Sequence, residues 1–158
     1  MSVSVQSGDF DVSEELARLR AGNARVGAVV SFVGTVRDLS EGEDVSLMEL
    51  EHYPGMTEKA LAAIIAEAKA RWPLLGVRVI HRVGPLKPAD QIVLVAVAAA
   101  HRREAFLACE YIMDYLKTEA PFWKKETLPS GARWTEAKDS DNAAAERWRE
   151  PADTKEGA

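Results

Sequence analysis

Two lysines, Lys117 and Lys124, lie seven positions apart on either side of Pro121. The first lies near the end of a segment with helical spacing of apolar residues, and the second follows the proline, which stops a helix. The two ammonium groups therefore flank the aromatic residues Phe122 and Trp123 in a chain that is acidic overall. This arrangement favours the binding and reaction of an anionic small molecule over simple solvation.

The predicted helix over residues 103–119 leaves two interpretations of Lys117 open. At about 100° per residue, Lys117 falls at the margin of an apolar stripe. The stripe consists of Phe106, Cys109, Met113, Leu116 and Ala120. Either Lys117 buries its stem and keeps its charge in water, or it lies in a partly dry pocket. In the second case desolvation disfavours the charged amine and makes it a usable base or nucleophile.

Lys124 and Lys125 follow Trp123 in a segment that predicts a strand. Adjacent side chains of a strand point to opposite faces of its sheet. Only one of these two lysines can therefore line a given pocket, and a surface lysine pair is usually solvated.

A second group of cations, His101, Arg102 and Arg103, lies where a buried strand gives way to the predicted helix. Free backbone N–H groups and the positive end of the helix dipole gather there, which suits a phosphate or carboxylate. The alternative is that both arginines face solvent and pair with Glu104. We favour the anion site, because cations at a helix N-terminus oppose the dipole and need another reason to be there.

Five further residues complete the candidates. Gly34 lets a backbone or ligand approach closely, and Arg37 would project at the entrance of the following loop. His81 and Arg82, within an apolar strand, are predicted to be a structural pair. Cys109 is predicted to be an inert core thiol.

Composition bounds these hypotheses. The 158 residues suffice for one domain with a sizeable core, and 47% hydrophobic with 28% charged residues is ordinary for a globular protein. A net charge of −5 argues against nucleic-acid binding. The single cysteine excludes an intrachain disulfide, and no metal-ligand motif is present. Without a signal peptide in the first ten residues or a membrane-length apolar run, a cytoplasmic protein is predicted.

The predicted element order is α-β-β-α-β-β-α-β-β, an α+β fold with a mainly antiparallel sheet. We predict helices over 13–20 and 58–71, capped by Ser13 and Thr57, besides the helix over 103–119. The predicted strands are 26–36 and 45–53, paired as a hairpin; 77–83; 91–100, central and covered on both faces; and a last hairpin of 123–128 with 133–137. Residues 1–138 form the predicted domain, and residues 139–158 a polar tail with one short helix near Trp148.

Five segments together resemble one family, the large, catalytic subunits of molybdopterin synthase, over about residues 26–138. The segments are Phe32-Val-Gly-Thr-Val-Arg37, Leu50-Glu-His-Tyr-Pro-Gly-Met-Thr-Glu-Lys-Ala60, Val79-Ile-His-Arg-Val-Gly84, Ala100-His-Arg102 and Ile112-Met-Asp-Tyr-Leu-Lys-Thr-Glu-Ala-Pro-Phe-Trp-Lys-Lys-Glu126.

The resemblance implies a single-domain α/β hammerhead fold and a homodimer. It also implies a small ubiquitin-like sulfur-carrier subunit on each protomer, which makes a heterotetramer. The implied reaction is a sulfur transfer that converts cyclic pyranopterin monophosphate to molybdopterin. The sulfur comes from a thiocarboxylate on the small subunit's C-terminal Gly-Gly. No metal or organic cofactor is implied, and neither nucleic acid nor a membrane is a partner.

The resemblance also implies roles for individual residues. Lys117 would be the principal catalytic lysine, as base or as acceptor in a covalent intermediate, with Lys124 acting beside it on the partner's carboxyl group. The other implied substrate contacts are Thr35, Val36, Arg37, His101, Arg102, Lys125 and Glu126, and the implied pocket walls are Phe32 and Met113.

One position departs from the family pattern. Lys138 stands where the family's arginine is expected, and lysine cannot make the planar two-pronged contact with a phosphate. Two other functions also fit the residues. One is a lyase or aldolase that forms a Schiff base through Lys117, and the other is a non-enzymatic module that binds a phosphorylated metabolite.

Overall fold

The computed structural model describes residues 2–40, 43–44, 46–129, 131–135 and 139–149. Along the chain the elements are β1 (Val3–Gln6), α1 (Val12–Arg20), β2 (Ala28–Thr35), β3 (Leu39–Ser40), β4 (Glu43–Asp44), β5 (Leu47–His52), α2 (Met56–Arg71), β6 (Leu74–Arg82), β7 (Gly84–Leu86), β8 (Gln91–Ala99), α3 (Arg102–Glu119), β9 (Phe122–Leu128), β10 (Gly131–Thr135) and α4 (Asp139–Glu146). The predicted α+β class is confirmed.

The first sheet has the strand order β1-β6-β8-β2, with β1 parallel to β6 and the other pairs antiparallel. Strand β8 is central, and every residue from Val93 to Ala99 is buried. Alternate residues of β8 face α2 and α3 on one side and α1 on the other. A strand covered on both faces has to be apolar throughout, so the prediction for this strand is confirmed.

The second sheet has the order β10-β9-β5-β7 and is antiparallel throughout. The predicted hairpin of 26–36 with 45–53 is wrong, because β2 pairs with β8 while β5 pairs with β7 and β9. The buried residues of β5, Met48 and Leu50, form a separate small core with Val36 and Leu86. Burial of these side chains, rather than closeness in sequence, selects the partners of β5.

Both predicted helix caps are wrong. The cap of α1 is Asp11 rather than Ser13, and its carboxylate accepts the N–H of Glu14 at 3.0 Å. Helix α2 starts after Gly55, whose positive φ of 84° is a conformation that favours glycine.

Thr57 is a buried connector instead of a cap. Its hydroxyl accepts the N–H of Tyr53 at 3.2 Å and donates to the carbonyl of Pro121 at 3.3 Å. Thr57 has no exposed surface, so these two bonds fix the segment between α3 and β9 to the start of α2.

The apolar face of α3 is rotated from the predicted stripe. Met113 and Leu116 are buried, whereas Phe106 is 60% exposed. The small residues Ala105 and Ala108 are completely buried instead, and they allow the helix to approach the sheet closely.

Cys109 is a buried thiol that donates to the carbonyl of Val95 at 3.7 Å. Burial, aided by the charge of Glu110, raises the pKa of Cys109 to about 12. A raised pKa disfavours the thiolate, which is the reactive form, and the predicted burial of Cys109 in the core is confirmed.

The short helix predicted for the tail is α4, and Trp148 follows it. The ring of Trp148 makes edge-on contacts with Trp72 and Tyr111, at 5.8 and 5.5 Å between centroids. Its indole N–H donates to Asp114 of α3 at 2.5 Å. These contacts attach the tail to α2 and α3.

Three parts of the prediction lie outside the described residues: Lys138, residues 136–137 of the predicted last strand, and the end of the tail after residue 149.

His81 lies between the two sheets. In β6 it continues the row of Val77 and Val79 that faces the helices, and it is 5% exposed. Its ring stacks on Phe122 of β9, with 3.8 Å between centroids and 17° between planes. Burial lowers the pKa of His81 from 6.5 to about 4, and the charges of Lys117 and His52 act in the same direction.

This burial predicts a specific dependence of stability on pH. Below pH 6.5 the imidazole of the unfolded chain gains a proton that the folded protein excludes until about pH 4. Between pH 7 and pH 4, the wild type should lose roughly 3 kcal/mol more unfolding free energy than a His81→Phe variant. Urea unfolding across this range measures the difference.

His52→Phe is the control, because it removes a neighbouring imidazole that is the smallest cause of the shift and should retain most of the wild-type pH dependence, which burial of His81 dominates. Identical pH dependence in the wild type and His81→Phe would contradict the placement of His81.

Candidate functional site

The end of α3 lies above the end of β2. Helix α3 reverses the direction of β8, and the contact of Cys109 with Val95 matches the middle of the helix to the middle of the strand. Strand β2 runs antiparallel to β8 and ends with Thr35 beside Gln91. Lys117 and the segment that follows β2 therefore lie at the same end of the first sheet.

The segment after β2 brings Arg37 to this end. Arg37 and Thr35 are exposed, whereas Val36 is 3% exposed and packs in the small core. The N–H of Val36 donates to the carbonyl of Asp90, and its carbonyl accepts the N–H of Ala89, both at 2.9 Å. The side chain of Val36 thus anchors the segment that presents its two neighbours, and the implied substrate contact of Val36 stays a prediction.

Lys124 joins the same region through the register of β5 and β9. Leu50 lies directly opposite Lys124, and Met48 directly opposite Glu126. Residues opposite one another in an antiparallel pair share a face, and Leu50 and Met48 face Val36. Lys124 and Glu126 are therefore on the face directed toward the end of β2.

Lys125 is on the opposite face of β9, opposite Glu49. Its neighbour Trp123 shares that face and packs on Tyr53, with 4.7 Å between ring centroids. The prediction that Lys124 and Lys125 cannot line one pocket is confirmed. The implied substrate contact of Lys125 is not supported for the pocket that Lys124 faces within this chain.

Glu126 is 2% exposed. A carboxylate so deeply buried is rarely left without a compensating group, and Lys124 lies two residues earlier on the same face. The implied contact of Glu126 with substrate stays a prediction, and in the isolated chain this carboxylate is buried on the same face as Lys124.

Lys117 is exposed in the isolated chain. The single chain thus favours the first interpretation of this residue, a charge in water, over a dry pocket. The ammonium still lies close enough to His81 for its charge to lower the pKa of that imidazole. Lys117 therefore belongs to the region between the two sheets.

The implied pocket walls, Phe32 and Met113, lie on the sheet face covered by α3. Met113 is buried one turn before Lys117, and Phe32 in β2 is 40% exposed. Gly34 makes room for the Phe32 ring, because a Cβ at Gly34 would lie 2.7 Å from Cγ1 of Val93 and 3.3 Å from Cε1 of Phe32. Their role as pocket walls stays a prediction.

The second group of cations lies at the other end of the sheet. His101 and Arg102 follow β8 and are exposed. Gly27 lies beside them, since its N–H donates to the carbonyl of Ala99 and a Cβ there would lie 2.2 Å from the carbonyl oxygen of Ala100. The length of β2 separates Gly27 from Thr35 by roughly 25 Å. One chain therefore does not bring His101 and Arg102 to Lys117 and Arg37.

The alternative local pairing at the helix start is not observed. Within the described ranges, Glu104 forms no ion pair with Arg102 or Arg103, and its Oε2 is buried without a hydrogen-bond partner. The two arginines are left facing solvent at the N-terminus of α3.

Two buried polar residues near the lysines were not predicted as part of the site. The predictions gave Thr57 a capping role and His81 a structural one. The alternation of Val77, Val79 and His81 in the sequence could have indicated the burial of His81, because it places the imidazole on the buried face of β6.

The structural role of Arg82 is confirmed, since it donates to the carbonyls of Ser7 and Gln91.

In the part of the chain that the structure describes, no three His, Cys, Asp or Glu residues are grouped as metal ligands. Over the same residues, no helix is both long and apolar enough to cross a membrane.

The chain is similar to proteins of known family. The model of the MoaE protein family matches residues 5–119. The chain is 63% identical over 147 residues to the molybdopterin synthase catalytic subunit of Ralstonia nicotianae, which covers 93% of this chain and 84% of the relative.

Solved structures agree with this match. The molybdopterin biosynthesis MoaE protein from Burkholderia ambifaria has a TM-score of 0.80 at 59% identity, over 93% of this chain and 97% of that one. Molybdopterin synthase from Staphylococcus aureus has a TM-score of 0.79 at 34% identity, over 85% of this chain and 97% of that one. Because the family match and the relatives span most of the sequence, the chain belongs to the MoaE family of molybdopterin synthase catalytic subunits.

Proposed function

We propose that this chain catalyses the sulfur transfer that converts cyclic pyranopterin monophosphate to molybdopterin, with a thiocarboxylated small subunit as donor. The observation that carries the proposal is the convergence of Arg37, Lys117 and Lys124 at one end of the first sheet. The names of the relatives favour this reaction over the Schiff-base lyase and the phosphometabolite-binding module. The proposed compartment is the cytoplasm.

Electrostatics explains why the reaction needs several cations. The substrate carries a phosphate and the donor a thiocarboxylate, so two anions have to meet. At 4 Å and an effective dielectric constant of about 20, two unit charges interact by about 4 kcal/mol. Fixed ammonium and guanidinium groups offset this repulsion, and their effect grows when the docked partner excludes water.

Each cation suits a different task. The planar guanidinium of Arg37 fits a phosphate by two parallel hydrogen bonds. Lys117 acts as the base or as the acceptor in a covalent intermediate. Lys124 polarises the carboxyl group of the partner's tail, and Thr35 contributes an exposed hydroxyl beside Arg37.

We propose that a second copy of the chain supplies His101 and Arg102. Strand β2 is at the edge of the first sheet, and none of its eight residues is fully buried. Strand β2 contains neither a charged residue nor a proline, the residues that usually prevent an exposed edge strand from pairing with another chain. Antiparallel pairing of β2 with its copy would bring the start of one strand to the end of the other. His101 and Arg102 of one chain would then lie near Arg37 and Lys117 of the next.

This arrangement fits the heterotetramer implied by the family. Two large subunits share both active sites, and each site admits the tail of one small ubiquitin-like subunit. A closed two-fold interface makes the two sites equivalent.

Substitution of Lys117 by alanine should remove most product formation without unfolding the protein. Loss of a catalytic base or nucleophile typically lowers the rate by about 100-fold or more, while an exposed side chain contributes little to stability. Turnover with the thiocarboxylated partner and thermal unfolding measure the two effects. Lys59→Ala, at an exposed lysine of α2, is the control. Near-normal turnover by Lys117→Ala would count against the proposed role.

Substitution of Arg102 by alanine should weaken substrate binding more than it slows chemistry. Loss of a charged hydrogen bond costs about 1.5–3 kcal/mol, which is a roughly 10- to 100-fold increase in the dissociation constant. Single-turnover kinetics separates this affinity from the rate in the bound state. Arg25→Ala, at an exposed arginine that no role has been given, is the control. Unchanged affinity in Arg102→Ala would refute the assignment.

Mixed dimers test whether the site is shared between copies. Chains carrying Lys117→Ala and chains carrying Arg102→Ala, with different affinity tags, should form mixed dimers with one intact site and one doubly altered site. At substrate concentrations well below saturation, where both parents are poorly active, tandem-purified mixed dimers should therefore recover about half of the wild-type activity. Should the mixed dimers be no more active than their parents, the two residues act within a single chain.

A further inference from the structure

The separation of Lys117 and Lys124 depends on a very short connection. Only Ala120 and Pro121 lie between α3 and β9. The N–H of Phe122 donates to the carbonyl of Ala120 at 2.8 Å, which makes the connection a tight turn. Any rotation of this turn would change the position of Lys124 relative to Lys117.

Two buried polar residues from different elements contact this turn. Thr57, from the start of α2, donates to the carbonyl of Pro121. His81, from the first sheet, stacks on Phe122 at 3.8 Å between centroids. The stack therefore connects the first sheet to the first residue of the strand that carries Lys124.

A hydrogen bond fixes the orientation of the His81 ring. Nδ1 of His81 lies 2.8 Å from the carbonyl oxygen of Arg82. A carbonyl only accepts, so Nδ1 carries the proton and the ring is held in one plane. Phenylalanine at this position could stack on Phe122 but could not be held by that bond.

We propose that His81 is a positioning residue for the reaction. Its hydrogen-bonded ring holds Phe122, and through Phe122 it holds the turn that sets Lys124 relative to Lys117. The proposal rests on the proposed function, because it assigns a task to His81 in that reaction.

The neutral state of the ring supports this role. Burial is the main reason that the pKa of His81 falls to about 4, so the ring is uncharged at neutral pH. Lys117 from α3 and His52 from β5 are the groups whose charges also act on it. A neutral ring stacks on Phe122 without adding a further positive charge to the pair of lysines.

The test compares single turnover in the wild type and His81→Phe, with the thiocarboxylated partner and cyclic pyranopterin monophosphate. A lysine displaced by about 1 Å can cost on the order of 100-fold in rate, so we expect a 10- to 100-fold fall in kcat. KM should change by less than about threefold, because the exposed cations that bind the substrate are untouched.

Two further variants approach the same contact differently. His81→Asn keeps a donor for the Arg82 carbonyl but removes the stack, and Phe122→Leu removes the stack from the other side. Both should lower kcat in the same way, so the test does not depend on the folding of one variant. His52→Phe is the matched control, since His52 lies 6.5 Å from Phe122 without stacking on it. Its kcat should stay within about twofold of the wild type.

Cys109→Ala, a substitution in the buried face of α3, controls for a general loss of stability. The proposal is overturned if His81→Phe, His81→Asn and Phe122→Leu keep the wild-type kcat. It is also overturned if Cys109→Ala lowers kcat as much at equal stability, or if the losses appear in KM alone. If the wild type itself makes no product, the proposed function fails, and the role of His81 falls with it.

Discussion

The antiparallel pairing of β2 with β8 is the constraint on which the site depends. Because the two strands run in opposite directions, the residues after β2 and the residues after β8 emerge at opposite ends of the sheet. Helix α3 then returns along the sheet and brings Lys117 to the end where Arg37 emerges. The topology thus gathers one group of cations and sends His101 and Arg102 away from it. A site that used both groups would therefore have to be built from two chains, as proposed.

The chain is acidic overall and its candidate cations are exposed, and these two features are compatible in electrostatic terms. Several positive charges held close together in a dry pocket would repel one another at a large cost in stability. In the isolated chain Lys117 and Arg37 are exposed, so water screens them. Under the proposed function, the arriving reagents would neutralise these charges and exclude water from the site, and the same charges would then act in a low dielectric. A net charge of −5 in the chain as a whole leaves this local field as the feature that distinguishes the site.

Local patterns predicted the elements well and their partners poorly. The apolar run of β8 and the extent of α3 follow from local sequence, and both are predicted to within one residue, although the buried face of α3 is rotated from the predicted stripe. The partner of β5 depends on where Met48 and Leu50 find a core, which involves the distant residue Leu86. The same limit applies to Thr57, whose local pattern indicated a cap but whose hydroxyl bonds to Pro121. The distance between Arg37 and Arg102 likewise follows from strand direction, which no motif shows.

Thr57 and His81, the two buried polar residues at the turn, occupy positions where a protein core usually has apolar side chains. Desolvation of a histidine lowers stability in acid, and a buried hydroxyl needs both of its bonds satisfied. An apolar core there would avoid both costs but would leave the turn free to rotate. Directional bonds from Thr57 and the oriented ring of His81 restrict that rotation. Such departures from local rules are expected where geometry matters more than stability. Thr57 and His81 lie between the helix that ends near Lys117 and the strand that carries Lys124. We infer that these two residues maintain the spacing of the two amines, at a cost in stability.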